Sequence, residues 1–202
     1  GLGLTNHLTS IILIPAAVLA VWLAYGKCLR TQGWTANGLL LLKVGLAILL
    51  PLLLYAYLPL RWEALPEEPM GWGRFVDWVI GGRFQGALQL TAWLNDRTRY
   101  EIVWRLLLAE WGWFNLLLAL LGLIYAAVRN WRVALVLLVT WAGYIFYALN
   151  YHVPDLAVFL IPAYAVIALL WGAGMASILA IIASLMDRRG WTAYRFPLSA
   201  VI

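Results

Sequence analysis

The chain has 202 residues, 65% of them hydrophobic and 11% charged, where soluble globular proteins run at roughly 45–50% and about 25%. A mean hydropathy of +0.86 and apolar runs of spanning length direct that excess toward lipid and exclude disordered, collagen-like and disulfide-scaffold classes. The net charge of +5 comes from basic residues scattered between apolar stretches, not gathered on one wet face, so no nucleic-acid partner is expected.

Five spans are expected in chain order. Residues 8–25 form the first, with Pro15 as its kink, and 39–58 the second, with Lys43 snorkelling near its start and Pro51 as its bend. After a long connection over residues 59–105 come spans at 106–128, 133–149 and 156–185. With Gly1 in place of a methionine and no basic n-region, no signal peptide is expected. Residues 1–202 read as a single membrane domain and as a fragment of a longer membrane protein. The lone cysteine, Cys28, can form no intrachain disulfide.

Basic residues in short loops are retained on the cytoplasmic side. Lys27 and Arg30, Arg129 and Arg132, and Arg188, Arg189 and Arg195 all fall on one side of alternating spans. The expected topology therefore puts the N-terminus of this chain outside and its C-terminus in the cytoplasm. The opposite side receives the 59–105 connection, where Arg61, Arg74, Arg83, Arg97, Arg99 and Arg105 balance Glu63, Glu67, Glu68, Asp77, Asp96 and Glu101. Within it, residues 73–94 carry apolar groups at near-helical spacing, which predicts one or two helices in the membrane interface. Gly81, Gly82 and Gly86 weaken that helix. The expected fold class is thus all-α: a polytopic transmembrane bundle of about five spans with an interfacial amphipathic helical segment in the outer loop.

Three polar clusters share the outer side in this topology: Thr5, Asn6, His7 and Thr9; Tyr57, Pro59, Leu60 and Arg61; and Asn150, Tyr151, His152 and Asp155. Arginine offers a planar fork of donors to phosphate, and histidine donates a hydrogen bond or moves a proton near neutral pH. A substrate with a phosphate among the headgroups and a tail in the bilayer suits that combination, as in a polyprenyl-phosphate sugar. Plainer readings stand beside it. Arg61 also serves as an interfacial anchor, Asn6 and His7 as partners for free amides at a helix start, and Asp155 as a helix N-cap. His152 and Asp155 are compatible with a divalent metal, but two ligands without a third do not require one. Glu110 is expected to pair with a basic residue of the outer loop, and Trp104, Trp111, Trp113 and Phe114 to form an aromatic belt.

The segment GLGLTNHLT at residues 1–9, YLPLRW at 57–62 with Trp72 and Gly73, and YHVPDLAVFLIPAY at 151–164 together resemble the family carrying the domain of unknown function DUF2723. That family is related to protein O-mannosyltransferases and has the membrane-embedded GT-C architecture. Gly71 stands where the family has Asn before Trp72, and Phe75 where it has Pro. The resemblance implies a glycosyltransferase that moves a sugar from a polyprenyl-phosphate-linked donor to a hydroxyl of a protein or glycan acceptor on the extracytoplasmic face. It implies substrate contacts at Asn6, His7, Tyr57, Arg61, Trp72, His152 and Asp155. The family's acidic Asp-Ser-Gly-Glu-like motif would precede Gly1, so no residue here is assigned as catalytic base. The non-enzymatic alternative is a transporter or lipid-flipping subunit whose polar groups line a passage.

Overall fold

The computed structural model of the chain describes residues 8–31, 34–62, 70–82 and 86–188. Its described secondary structure is helical apart from one isolated antiparallel bridge between Leu88 and Tyr151. A 3-10 turn, Leu8–Leu13, leads into α1, Ile14–Thr31. Pro15 sits in the first turn of α1, where no amide has an intrahelical partner, so it marks the change from 3-10 to α geometry. Helix α2, Trp34–Leu49, passes into a 3-10 stretch, Leu50–Ala56, at Pro51, and then into α3, Tyr57–Trp62. The expected bend at Pro51 is this change of helix type.

The 73–94 region holds two helices, within the one or two expected: α4, Trp72–Val79, and the single turn α5, Ala92–Asn95. Gly81, at φ 66°, takes the left-handed conformation that ends α4. Further along, Leu88 pairs with Tyr151 in an isolated antiparallel bridge.

Helix α6, Arg97–Asn150, has 54 residues. Straight, it would reach about 81 Å, against a hydrocarbon core of about 30 Å. Two residues inside it leave helical geometry, Gly112 (φ 65°, ψ 164°) and Asn130 (φ −153°, ψ 83°). The consequence is visible in one distance. Arg99 Nη2 lies 2.6 Å from the carbonyl oxygen of Ala148, 49 positions along the same element. A continuous helix would hold those residues about 74 Å apart, so α6 folds back on itself. Asn130 Oδ1 accepts from the Val133 amide at 3.4 Å, capping the restarted helix. The expected boundary at Arg129 to Arg132 is therefore this Asn130 break. The expected start at residue 106 gives way to a helix from Arg97 that breaks at Gly112. A short helix α7, Leu156–Phe159, precedes α8, Ile161–Arg188. Pro162 cannot donate an amide to residue 158, which interrupts the ladder there.

Among the described residues, four helices are long and apolar enough to cross a membrane: Thr9–Gly26, Leu42–Trp62, Arg97–Asn150 and Ile161–Met186. Two of the five expected spans lie within α6. Helix α1 runs antiparallel to the last part of α6. Tyr144 Oη donates to the Thr9 carbonyl near one end of the pair, and Arg132 Nη1 donates to the Leu23 carbonyl, at 3.1 Å, near the other. The core is built from α6, α7 and α8 and includes Val103, Leu107, Tyr144, Ala148, Leu160 and Ala163. Helices α6 and α8 cross at Gly122 and Gly174. A Cβ on Gly122 would run into the Leu170 carbonyl, and one on Gly174 into the Leu118 carbonyl. The close approach is the small-residue packing that membrane helices use when lipid removes the hydrophobic drive. Nearby, Trp171 Nε1 donates to Asn115 Oδ1 at 2.9 Å, and Asn115 Nδ2 to the Trp111 carbonyl at 2.8 Å.

A Gly122→Leu substitution should therefore destabilise the protein by about 1–3 kcal/mol or more through overpacking. Gly172→Ala, where nothing lies within 4 Å, should leave stability unchanged or raise it by up to about 1 kcal/mol. Thermal unfolding in detergent, followed by circular dichroism, checks both.

Candidate functional site

The last turn of a helix leaves carbonyls without intrahelical partners. At the end of α6 these belong to residues 148–151, and Arg99 answers three of them. Its Nη2 donates to the carbonyls of Ala148 and Tyr151, and its Nε to that of Leu149 at 3.3 Å. The side chain is buried, with 6% of its surface exposed. A cation at a helix C-terminus also opposes the partial negative charge there.

The 86–95 segment closes over the same end. The Gln89 amide donates to the Asn150 carbonyl at 2.8 Å, and the His152 amide to the Ala87 carbonyl at 2.7 Å. Asn150 is fully buried. Its Nδ2 donates to the Phe146 carbonyl at 2.8 Å, and its Oδ1 accepts from the Trp93 amide at 3.3 Å. Beneath this strap, the rings of Tyr147, Tyr151 and Phe159 form a contiguous aromatic group.

Asp96 links the two ends of α6. One carboxylate oxygen caps the helix start by accepting from the Thr98 amide at 3.0 Å. The other lies 3.6 Å from His152 Nε2. The hydrogen bond from the Thr98 side chain, with the Thr98 amide and His152 as further contributors, holds the Asp96 carboxyl below its ordinary value, against a desolvation that acts the other way. His152 Nδ1 is buried and, among the described residues, has no hydrogen-bond partner. The imidazole therefore faces Asp96 through one nitrogen, while the other is buried among the surrounding protein.

The expected site residues separate into groups. Asn6 and His7 lie outside the described residues. Tyr57 and Arg61 are exposed on α3, and Trp72, the first residue of α4, is 78% exposed with its ring 5.4 Å from that of Phe75. Helices α3 and α4 meet through an edge contact of Trp62 with Trp78, at 5.7 Å, and through Arg74 over the Trp62 ring. Among the described residues no hydrogen bond or ion pair joins Tyr57 or Arg61 to His152 or Asp155. Asp155 occupies the N-cap position of α7, but its exposed side chain makes no capping bond. Asp96, not Asp155, is the carboxylate facing His152. No group of three His, Cys, Asp or Glu side chains suited to a metal occurs among the described residues.

Glu110 likewise makes no ion pair among the described residues. The neighbouring Trp104 and Trp113 rings contact each other at 5.2 Å, and Trp113 and Phe114 are exposed, as an aromatic belt requires. The exposed pair of Arg105 with Glu101, at 3.6 Å, is worth at most about 1 kcal/mol.

Sequence reading placed Asp96 and Arg99 only in a charge balance. Asp96, two residues before Thr98 at the start of an apolar-periodic run, carries an N-cap signal that identifies its helical role. Nothing local to Arg99 announces partners about 50 residues away. No protein-family model, curated protein or solved structure matches the chain.

Two outcomes follow. Arg99→Leu leaves three carbonyls to find other partners and should lower stability by about 2–4 kcal/mol, read as a fall in the thermal midpoint. The depressed Asp96 carboxyl contributes stability that is present above its unfolded value of about 3.9 and is lost as pH falls through its lower folded value. The acid-side loss of melting temperature below about pH 4 should therefore be smaller in Asp96→Asn than in the parent.

Proposed function

We propose that the chain is the C-terminal membrane part of a GT-C-type glycosyltransferase, acting on a polyprenyl-phosphate-linked sugar at the extracytoplasmic face. The observation that carries this reading is His152, an imidazole facing Asp96 with Nδ1 buried and, among the described residues, unpartnered. Its support from sequence is the threefold motif resemblance to the DUF2723 family, one motif of which begins at Tyr151. In this reading α6 crosses twice, as residues 113–129 and 131–150. These segments are about 26 and 30 Å long, which restores five spans. Residues 97–111, with Arg97, Arg99, Glu101, Arg105 and Glu110, lie at the outer interface.

The reaction is displacement at the anomeric carbon. The acceptor oxygen forms the new glycosidic bond, its proton passes to a carboxylate supplied upstream of Gly1, and the bond to the lipid phosphate breaks with its electron pair leaving on the phosphate oxygen. An imidazole N–H of His152 donates to that oxygen, and Arg61 contributes charge from α3. Arg99 takes no part, because its donors are held by the helix carbonyls. His152→Ala in the full-length protein should lower sugar transfer from a polyprenyl-phosphate donor by about 10²-fold, with expression and helicity retained. Arg61→Ala should lower it as well, and unchanged transfer in either variant removes that residue from the site.

A second reading, a transporter or lipid-flipping subunit, draws on the break at Gly112 beside Glu110. Discontinuous membrane helices expose backbone groups that transporters use to hold substrates. Lipid scrambling in vesicles, with no sugar transfer, is the result that reading requires.

A further inference from the structure

At the far end of the α1–α6 pair from His152, a groove of about 360 Å³ opens between the two helices. Its walls are apolar and include Ala20, Ala24, Val133 and Val136, while Asn130 and Arg132 stand at one end. The volume lies at the lower end of the range of about 300–1,000 Å³ that ligand pockets occupy. Arg132 is exposed and donates from Nη1 to the Leu23 carbonyl, with its guanidinium carbon 5.9 Å from the Trp131 ring centre.

The charge around this groove is one-sided. Arg129 lies three residues before Arg132. No Asp or Glu occurs anywhere in residues 1–62 or 111–154, so neither wall carries a counter-ion. Asp187, in the last turn of α8, is followed immediately by Arg188. Arginine has five N–H donors in a fork that matches phosphate oxygens, and one of those at Arg132 is engaged by a carbonyl. Val128 and Trp131 beside the groove are 82% and 56% exposed. A ligand that satisfies this surface is therefore negatively charged at one end and apolar along the rest.

We infer that this groove holds an anionic glycerophospholipid, with its phosphate at Arg132 and the first part of an acyl chain along Ala20, Ala24, Val133 and Val136. Basic pockets between membrane helices select anionic headgroups by this combination. The site lies apart from His152 and does not depend on sugar transfer.

Native mass spectrometry of the full chain in detergent tests it, with phosphatidylglycerol and phosphatidylcholine of identical acyl chains added in equal amounts. One phosphatidylglycerol should be retained with about tenfold preference, a difference of about 1.4 kcal/mol. Arg132→Gln should bring the two lipids to parity, and Arg132→Lys should keep most of the preference. Ala24→Phe, at an exposed position, should fill the groove and reduce retention with every basic residue in place. This variant decides the matter if Arg132→Gln loses helicity by circular dichroism. Parity of the two lipids in the parent protein, preference surviving in a folded Arg132→Gln, or undiminished retention in Ala24→Phe overturns the inference.

Discussion

A helix that ends near a membrane must find partners for its terminal carbonyls, because each one buried without a hydrogen bond costs free energy comparable to the bond itself. At Ala148, Leu149 and Tyr151 that need is met by Arg99, which lies at the start of the same element, and at Asn150 by the Gln89 amide. This single requirement orders the rest of the end. Arg99 reaches the carbonyls only because α6 breaks at Gly112 and Asn130 and turns back. Once it is docked, Asp96, three residues earlier, comes within reach of His152, and the strap at 86–95 has carbonyls and amides to pair with. The imidazole's position is therefore a consequence of how a helix end is satisfied.

Packing in the middle of the bundle obeys a different constraint. Among lipid chains there is little gain in bringing one apolar side chain against another, so helices associate where backbones approach closely. Gly122 and Gly174 provide that approach for α6 and α8. Leu42–Trp62, by contrast, has no buried residue in its apolar window. Leu46, Leu49, Leu50, Leu53 and Leu54 all present exposed side chains, an apolar surface of the kind that suits hydrocarbon surroundings.

The helices were legible from the sequence because length and apolarity alone decide them; residues 8–25 and 156–185 fall largely inside observed helices. The Asn130 break was legible too, since Arg-Asn-Trp-Arg interrupts an apolar run with two cations and a capping residue. Gly112 was not. Glycine is common in membrane helices, and only the fold reveals that this one takes a positive φ. The site was half legible for a related reason. His152 and Asn150 stood out as polar groups in an apolar chain, but the partner of His152 is 56 positions away, and Asp155, nearer in sequence, forms no ion pair with it among the described residues. Periodicity reports which face of an element is apolar, not which distant element covers it.

The same residue type does opposite work at the two ends of the bundle, and burial is what separates the cases. Arg99 is buried and surrounded by carbonyls; its charge is neutralised by helix dipole and hydrogen bonds, so it has little left to offer a phosphate. Arg132 is exposed, gives one donor to Leu23, and faces helices with no acid along 1–62 or 111–154. A count of positive charges would rank the ends alike. What differs is the number of donors already committed to the protein: Arg99 gives three hydrogen bonds to helix carbonyls, whereas Arg132 gives one and keeps the rest of its fork exposed.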